Sequence, residues 1–151
     1  MTKACTLVFL LKEHQILLAM KKRGFGSSRW NGVGGKIDPG ETVEQAMIRE
    51  TQEEIGVTPT AYTPVGFLEF SFPDGIVDMS AQVFVCTAWD GEPAESEEMA
   101  PEWFNINAIP YDDMWQDDRY WLPQVLEGKR IRGTFTFDSA DNMLAHEVQA
   151  K

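Results

Sequence analysis

Basic residues are scarce in this sequence. Its 151 residues include 13 lysines and arginines against 24 aspartates and glutamates, which gives a net charge of −11. A protein that docks on polymeric DNA or RNA needs basic patches that neutralise phosphates, so the composition argues against that class of partner. A small phosphate ligand stays compatible with the charge, because a bound metal ion can supply the positive charge.

Cysteines, histidines and long apolar runs are also few. Two cysteines, Cys5 and Cys86, do not make a disulfide framework, which predicts a reduced, cytoplasmic compartment and inert thiols in apolar strands. His14 and His146 have no partners at metal-ligand spacing. No run approaches the ~20 apolar residues of a membrane span, and the N-terminal apolar run is too short for a signal peptide. We expect a monomer that binds a small molecule and no membrane.

The chain is long enough for one domain with its own core, residues 1–151. Apolar runs that alternate with turn residues predict a mixed sheet with two helices, an α/β (α+β) fold. The predicted strands are residues 4–11 and 15–21 as a hairpin, 61–72 and 77–88 joined through residues 73–75, and 102–106, 129–137 and 143–149. An acidic loop is predicted over 91–102, and a second helix over 112–128 with Pro123 in its middle.

The first helix is predicted to begin near Thr42 and to end at Gly56. Thr42 and Gln45 have the spacing of a capping box, and glycine is the residue that most readily ends a helix. One mostly apolar stripe runs along this helix, made of Val43, Met47, Thr51 and Ile55.

Three glutamates of this helix, Glu50, Glu53 and Glu54, share a different face because they are spaced i, i+3, i+4. Each like-charge pair costs about 0.2–0.5 kcal/mol when exposed, and more when buried without a counter-charge. Oxygen-rich clusters suit Mg²⁺ or Mn²⁺, which also bind substrate phosphates. The alternative is a solvated acidic surface, the usual role of such clusters.

Glycines precede the helix at Gly32, Gly34, Gly35 and Gly40. Because glycine has no Cβ atom, its backbone can approach a metal ion or phosphate closely and can adopt the positive φ that some turns require. Together with the glutamates, the glycines predict a metal-assisted phosphate site.

The spacing across this segment resembles the signature of the Nudix hydrolase family. It comprises Gly35, Glu41 after five residues, Arg49-Glu50 after seven, Glu53-Glu54 after two and Gly56 after one, followed by Val57. At about 6% usage per position, seven matches arise by chance roughly once in 10⁸ placements. The resemblance implies the family's fold, a mixed β-sheet sandwiched between two helices.

The resemblance also implies a reaction. Nudix hydrolases use Mg²⁺, with Mn²⁺ as an alternative, to cleave a nucleoside diphosphate linked to another group; the box glutamates hold metals that position a water for attack on phosphorus. The Gly34 carbonyl and Glu98 would assist as ligands, with Glu98 a candidate base, although Glu98 also fits a solvated loop residue. Arg49 would orient a glutamate through a charge-assisted bond; the alternative is a surface ion pair with Glu53.

One position departs from the family pattern. Thr51 stands where the family prefers an aliphatic residue. Because this position faces the core, we expect the hydroxyl to bond a carbonyl oxygen one turn back. The stability cost should be small and the chemistry intact.

Four further segments resemble the animal branch of the family that hydrolyses oxidised purine nucleoside triphosphates, such as 8-oxo-dGTP and 2-hydroxy-dATP, to monophosphate and pyrophosphate. They are residues 20–36, 83–87, 95–99 and 109–123. The implied role is removal of damaged nucleotides from the nucleotide pool. Alternatives are a Nudix hydrolase for methylated or ordinary purine nucleoside triphosphates, and a non-catalytic nucleotide-binding module. The complete set of box glutamates argues against the module.

This second resemblance assigns a purine pocket. Trp115 would offer a stacking face, and Asn31 both donates and accepts at a purine edge. Asp117 and Asp118 cannot comfortably ionise together in a pocket, so one should hold a proton and the pair would offer both an acceptor and a donor. The other residues assigned to substrate contact are Thr6, Lys21, Phe25, Gly34, Gly35, Lys36, Phe70, Phe72 and Met79.

Each pocket residue also has a plainer alternative. Asp117 and Asp118 could begin a helix, where acids interact favourably with the dipole. Lys21 could be a solvated charge. Ordinary core positions would explain the apolar residues Phe70, Phe72, Met79 and Trp115.

Overall fold

A computed structural model describes residues 2–24, 27–72 and 78–151. Within them the chain forms eight strands and two α-helices. In chain order these are β1 (Thr2–Lys12), β2 (Gln15–Lys21), β3 (Trp30–Asn31), α1 (Val43–Ile55), β4 (Thr58–Ser71), β5 (Asp78–Asp90), β6 (Met99–Asn105), α2 (Asp118–Leu126), β7 (Ile131–Phe137) and β8 (Met143–Ala150).

The strands form a mixed sheet, as predicted. Its order is β3-β2-β1-β5-β4-β7-β8, with β6 paired to β2 outside this path. The pairs β1–β5 and β4–β7 are parallel, and the remaining pairs are antiparallel. The predicted hairpin of β1 and β2 is confirmed by the pairing of Leu11 with Ile16.

Alternating side chains of β1 show how the sheet lies between the helices. Val8 belongs to the core that contains Met47 of α1. Phe9 points to the opposite face, where its ring centroid lies 5.9 Å from that of Trp121 in α2. Successive side chains of a strand face opposite sides of a sheet, so β1 contributes to both cores. The predicted architecture, a sheet between two helices, is confirmed.

The predicted ends of α1 are confirmed. Thr42 is the N-cap: its hydroxyl accepts the Gln45 N–H at 3.1 Å, and the Gln45 side chain accepts the Thr42 N–H at 2.9 Å. Gly56 ends the helix at φ 72°, and its N–H donates to the Gln52 carbonyl oxygen at 3.0 Å. The left-handed conformation at this position is one that glycine adopts without a steric cost.

Thr51 behaves as the sequence predicts. Its side chain is fully buried, and its hydroxyl donates to the Met47 carbonyl oxygen at 2.7 Å. Burial removes the hydroxyl from water, and in exchange it bonds a carbonyl oxygen that already accepts a helical hydrogen bond. This exchange slightly lowers the free energy of unfolding.

Replacing Thr51 with valine should relieve that cost. We expect the free energy of unfolding to rise by about 0.5–1 kcal/mol, because an apolar methyl replaces a desolvated hydroxyl of similar shape. Urea denaturation measures the change, and the rate of nucleotide hydrolysis should stay within about two-fold. A destabilised variant would mean that the hydroxyl contributes net stability through its bond to Met47.

The second helix differs from its prediction. It begins at Asp118 and not at residue 112, after a short 3-10 helix, Tyr111–Asp113. Between them Met114 is extended and buried, and it pairs with Trp30 in an isolated bridge. This tertiary pairing overrides the local helical pattern. Pro123 lies inside α2, where it removes one backbone donor.

One further prediction needs correction, one strand was not predicted, and one prediction lies outside the described residues. The acidic loop is shorter than 91–102, because β6 already begins at Met99, which pairs with Lys21 of β2. The two-residue strand β3 gave no recognisable pattern. The predicted connection through residues 73–75 falls outside the described residues. None of the helices in the described part has the length and apolar character needed to cross a membrane.

Candidate active site

The acidic face of α1 packs against the glycine segment that precedes it. Glu54 accepts the Gly34 N–H through Oε2 at 3.3 Å. A Cβ atom at Gly35 would lie 2.6 Å from the Glu50 carboxyl carbon, so a larger residue at that position would displace Glu50. The glycine therefore allows the carboxylates of Glu50 and Glu54 to lie directly beside the backbone.

The glycine segment also runs against β1. The Thr6 N–H donates to the Gly35 carbonyl oxygen at 2.9 Å, and Val8 and Val33 exchange two backbone hydrogen bonds. A Cβ atom at Gly34 would lie 1.9 Å from the Thr6 carbonyl oxygen. Close approach therefore explains Gly34 and Gly35. The expected positive φ occurs in this region at Gly40 instead.

Arg49 joins the loop before α1 to the acidic face. Its Nε and Nη2 atoms bind the two carboxylate oxygens of Glu41 at 2.7 and 2.9 Å, and this pairing lowers the pKa of Glu41 to about 2. Its Nη1 atom contacts Glu50 at 3.1 Å and Glu53 at 3.2 Å. Both alternatives from the sequence are thus present: Arg49 orients Glu50 and also pairs with Glu53 along the helix.

Glu50 and Glu54 form a crowded pair of carboxyls. Burial, with the neighbouring charge of Glu50, raises the pKa of Glu54 to about 8, and burial also raises the pKa of Glu50. Such a pair suits a divalent cation, which would favour the ionised form of both groups. Carboxylate oxygens are also the donors that a hard cation prefers.

The other two predicted carboxylate ligands are held in ion pairs. Glu53 contacts Arg49, and Glu98 binds Arg23 at 2.9 Å with half of its side chain exposed. Within residues 2–24, 27–72 and 78–151, no three acidic, histidine or cysteine side chains are arranged as a ready metal site. The structure therefore brings together two of the four predicted carboxylates.

The raised pKa of Glu54 predicts how stability depends on pH without metal. Between 4.5 and about 8, the folded state holds a proton on Glu54 that the unfolded state has released, so this group lowers the free energy of unfolding as pH rises through that window. Glu54→Gln removes the contribution. In EDTA, the variant's melting temperature should fall less steeply than that of the unmodified protein between about pH 5 and pH 8. Calorimetric curves that stay parallel would contradict the raised pKa.

A cavity of about 940 Å³ lies beside this helix face. Twelve of the predicted substrate residues line it, which are Thr6, Lys21, Asn31, Gly34, Gly35, Lys36, Phe70, Phe72, Met79, Trp115, Asp117 and Asp118. Phe25 lies outside the described residues. Gly34 and Gly35 line the cavity and contact Glu54 and Glu50, so the cavity reaches from the segment beside the glutamates to the two aspartates. The four predicted glutamate ligands are not among the described residues that line it.

Asp117 and Asp118 are each 2% exposed. The Trp121 Nε1–H donates to Asp117 Oδ2 at 2.8 Å, whereas Asp118 Oδ2 is buried without a hydrogen-bond partner in the described protein. Burial raises the pKa of Asp117 to about 6; burial and the charge of Asp117 raise the pKa of Asp118. Burial and the charge of Asp117 together make Asp118 the acid of the pair that holds a proton more readily.

The alternative reading of these aspartates, a helix start, is also correct in part. Asp117 is the N-cap of α2, but its side chain makes no capping hydrogen bond. The carboxyl groups instead line the cavity. Thr6 shares a second property with Asp118. Its hydroxyl oxygen is also buried and has no hydrogen-bond partner among the described residues. Polar atoms left in this state cost free energy unless a ligand satisfies them.

The aromatic residues that line the cavity also pack against the hydrophobic core. Phe70 stacks on Phe135 with ring centroids 5.6 Å apart, and Trp115 meets Phe137 edge-on at 5.5 Å. Asn31 accepts the Gly32 N–H at 2.8 Å. Core packing therefore sets the positions of the apolar walls.

Several cavity residues escaped the sequence analysis. They include Lys3, Cys5, Arg29, Trp121, Phe137, Asp138, Ser139 and Asp141. Arg29 lies two residues before Asn31, so its side chain could have been predicted to face the same cavity as that of Asn31. The residues of the turn between β7 and β8 gave none, because only the parallel pairing of β4 and β7 places that turn near the cavity. Cys5, predicted to be a core thiol, lines the cavity; burial raises its pKa, so it stays protonated.

Comparisons with known proteins identify the family. Residues 1–125 match the NUDIX domain family. The chain is 44% identical over 147 residues to the oxidized purine nucleoside triphosphate hydrolase of Danio rerio, covering 97% of this chain and 94% of the relative. It is 42% identical over 144 residues to the enzyme of the same name from Mus musculus, covering 95% and 92%.

A solved structure extends the agreement to the fold. The crystal structure of a MutT protein from Bacillus halodurans superposes with a TM-score of 0.87 at 25% identity, covering 97% of both chains. The matched family spans α1 with its glutamates, the glycine segment and most of α2. The chain belongs to the Nudix hydrolase family.

Proposed function

We propose that this protein hydrolyses oxidised purine (deoxy)nucleoside triphosphates, such as 8-oxo-dGTP and 2-hydroxy-dATP, to the monophosphate and pyrophosphate. Residues 1–151 act as one domain, as a cytoplasmic monomer, and use Mg²⁺, with Mn²⁺ as an alternative. One observation carries the proposal: a single cavity extends from the glycine segment, which contacts Glu50 and Glu54, to a buried pair of aspartates whose pKa values are both raised. The similarity to oxidized purine nucleoside triphosphate hydrolases supports it.

The aspartate pair fits the edge of an oxidised guanine. The ionised Asp117 accepts from N1–H and N2–H₂, while the proton on Asp118 is donated to O6. If the proton moves to Asp117, the pair presents the opposite pattern, which an oxidised adenine requires. Asn31 completes the polar edge, and Trp115 supplies a stacking surface.

The opposite end of the cavity fits the triphosphate. Glu50, Glu53, Glu54, Glu98 and the Gly34 carbonyl would hold the divalent cations. A bound cation neutralises the phosphate oxygens and makes a bound water a stronger nucleophile. Glu53 must leave Arg49, and Glu98 must leave Arg23, to join this set. Lys21 and Lys36, which line the cavity near the glutamates, lie where they can bind the phosphates and the sugar.

Arg49 keeps the acidic face in place. It binds Glu41 through two nitrogens and also contacts Glu50, so it connects the loop before α1 to the acidic face. A bidentate arginine–carboxylate pair fixes geometry better than a single contact. Arg49 therefore orients Glu50 without contacting substrate.

A panel of purine triphosphates tests the proposal. We expect pyrophosphate release that requires Mg²⁺, with kcat/KM for 8-oxo-dGTP at least ~10-fold above that for dGTP. If kcat/KM is highest for methylated or ordinary purine triphosphates, the proposed substrate class is wrong and the alternative class is correct. Tight binding of the nucleotides without pyrophosphate release would overturn hydrolysis and leave a binding module.

A further inference from the structure

A turn late in the chain reaches the base end of the cavity. It joins β7 to β8 over residues 138–142, and its Asp138 and Asp141 line the cavity. The Asp138 carboxylate accepts the N–H groups of Ala140 and Asn142 at 2.8 and 2.9 Å. Asp141 has a φ of 63°, a conformation in which aspartate is enriched. Local hydrogen bonds therefore hold the turn in one shape.

Asp141 holds an arginine against the indole of Trp115. The Arg29 Nη1 atom lies 3.5 Å from Asp141 Oδ2, and both side chains are about two-thirds buried. The guanidinium carbon of Arg29 lies 4.2 Å from the centroid of the Trp115 ring. Cation–π contacts strengthen as the cation loses water, so partial burial favours this arrangement. Arg29 thereby connects the turn to the indole.

The same turn has a second link to the segment that bears Trp115. The Gln116 Nε2 atom donates to Asn142 Oδ1 at 3.1 Å, and Gln116 Oε1 accepts the Met143 N–H at 2.8 Å. Gln116 lies between Trp115 and Asp117 in the chain. Its two hydrogen bonds therefore restrict the backbone that carries both of these cavity residues.

We propose that the β7–β8 turn is a brace for base recognition, in which Arg29 and Asp141 are positioning residues for the Trp115 indole. The inference rests on the proposed function, in which a purine stacks on that indole. An indole that is already fixed loses little side-chain freedom when the base binds. The brace therefore tightens substrate binding and takes no part in the chemical step.

Kinetics of brace variants separate binding from chemistry. Arg29→Met should raise KM about 3- to 10-fold and keep kcat within about two-fold, because a less fixed indole weakens a stacking contact that substrate and transition state share. Arg29→Lys should recover part of the loss, since it keeps the charge. Asp141→Asn should raise KM less than Arg29→Met does. The double variant should be no worse than Arg29→Met alone, since both residues act through one link.

The chain offers a matched control. Arg132 lies over the Phe67 ring at 5.2 Å and 3.6 Å from Glu69, so an arginine, an aromatic ring and a carboxylate also meet on β7 and β4. None of these three residues lines the cavity. Arg132→Met should leave KM unchanged, and a rise in KM equal to that of Arg29→Met would mean that the effect is general destabilisation.

Two readouts do not depend on turnover. The dissociation constant of the monophosphate product 8-oxo-dGMP, measured by calorimetry, should rise with Arg29→Met and Asp141→Asn. The Trp115 indole N–H resonance, identified by its loss in Trp115→Phe, should shift or broaden in Arg29→Met and stay unchanged in Arg132→Met.

The outcomes separate the brace from the proposed function. If the unmodified protein releases no pyrophosphate from any purine triphosphate, the proposed function fails, and the indole resonance still tests the brace. An indole resonance unchanged by Arg29→Met overturns the brace whatever the activity. A lower KM in Arg29→Met also overturns it, since the guanidinium would then occupy the indole face that the base needs.

Discussion

Replacing Glu54 with glutamine should lower kcat at least ~100-fold, the scale of losing a key electrostatic or acid–base group. Glu54 lies beside Glu50 and accepts the Gly34 N–H, so it is central to the predicted cation site. Glutamine keeps the shape of the side chain and one acceptor oxygen but removes the charge. Steady-state pyrophosphate release at saturating 8-oxo-dGTP and Mg²⁺ measures the effect.

Glu44→Gln is the matched control for this prediction. Glu44 lies in the first turn of the same helix, and its carboxylate accepts the Tyr62 hydroxyl at 3.0 Å, away from the glycine segment. Its kcat should stay within about two-fold of the unmodified value. In addition, Mg²⁺ should raise the melting temperature of the unmodified protein more than that of Glu54→Gln. A Glu54→Gln enzyme within a few fold of normal activity would remove Glu54 from the mechanism.

Asparagine at the aspartate pair should change substrate choice more than stability. Asp117→Asn removes the ionised acceptor opposite N1–H and N2–H₂, so kcat/KM for 8-oxo-dGTP should fall about 100-fold, the scale on which a site rejects a substrate that leaves polar groups unpaired. Asp118→Asn keeps a donor at the protonated position and prevents the reversed proton pattern. It should therefore retain most activity on 8-oxo-dGTP and lose at least ~10-fold on 2-hydroxy-dATP.

The opposite responses of the two variants are the informative comparison. Both substitutions replace a buried carboxyl with an amide of the same shape, so a general packing defect would affect both substrates equally. Asp117→Asn also tests the bond from Trp121, since an amide oxygen can still accept the indole N–H. If the ratio of kcat/KM values for the two substrates is the same in both variants as in the unmodified protein, the proton-sharing interpretation is wrong.

The first helix shows how much local sequence can determine. Thr42 and Gly56 set its ends through hydrogen bonds to residues three or four positions away. Helical spacing alone places Glu50 and Glu54 on one face, and the glycines before the helix allow that face to pack closely. The helix ends and the shared face depend on neighbours in the chain, so they were predictable before any tertiary contact was known.

The base end of the cavity was predictable only through resemblance to a known family. Nothing local distinguishes Asp117 and Asp118 from an ordinary acidic helix start. Their raised pKa values come from burial among residues that lie far apart in the sequence. The second helix also begins six residues later than predicted, because Met114 pairs with Trp30.

The sequence by itself determined the family, the helix that bears the glutamates and its caps, since spacing and turn chemistry are local properties. Tertiary structure decided which aspartate holds a proton more readily, why Gly34 and Gly35 cannot bear side chains, and how Arg29 meets Asp141. Desolvation and close approach depend on which distant segments pack together. Neither is encoded in the spacing of a single segment.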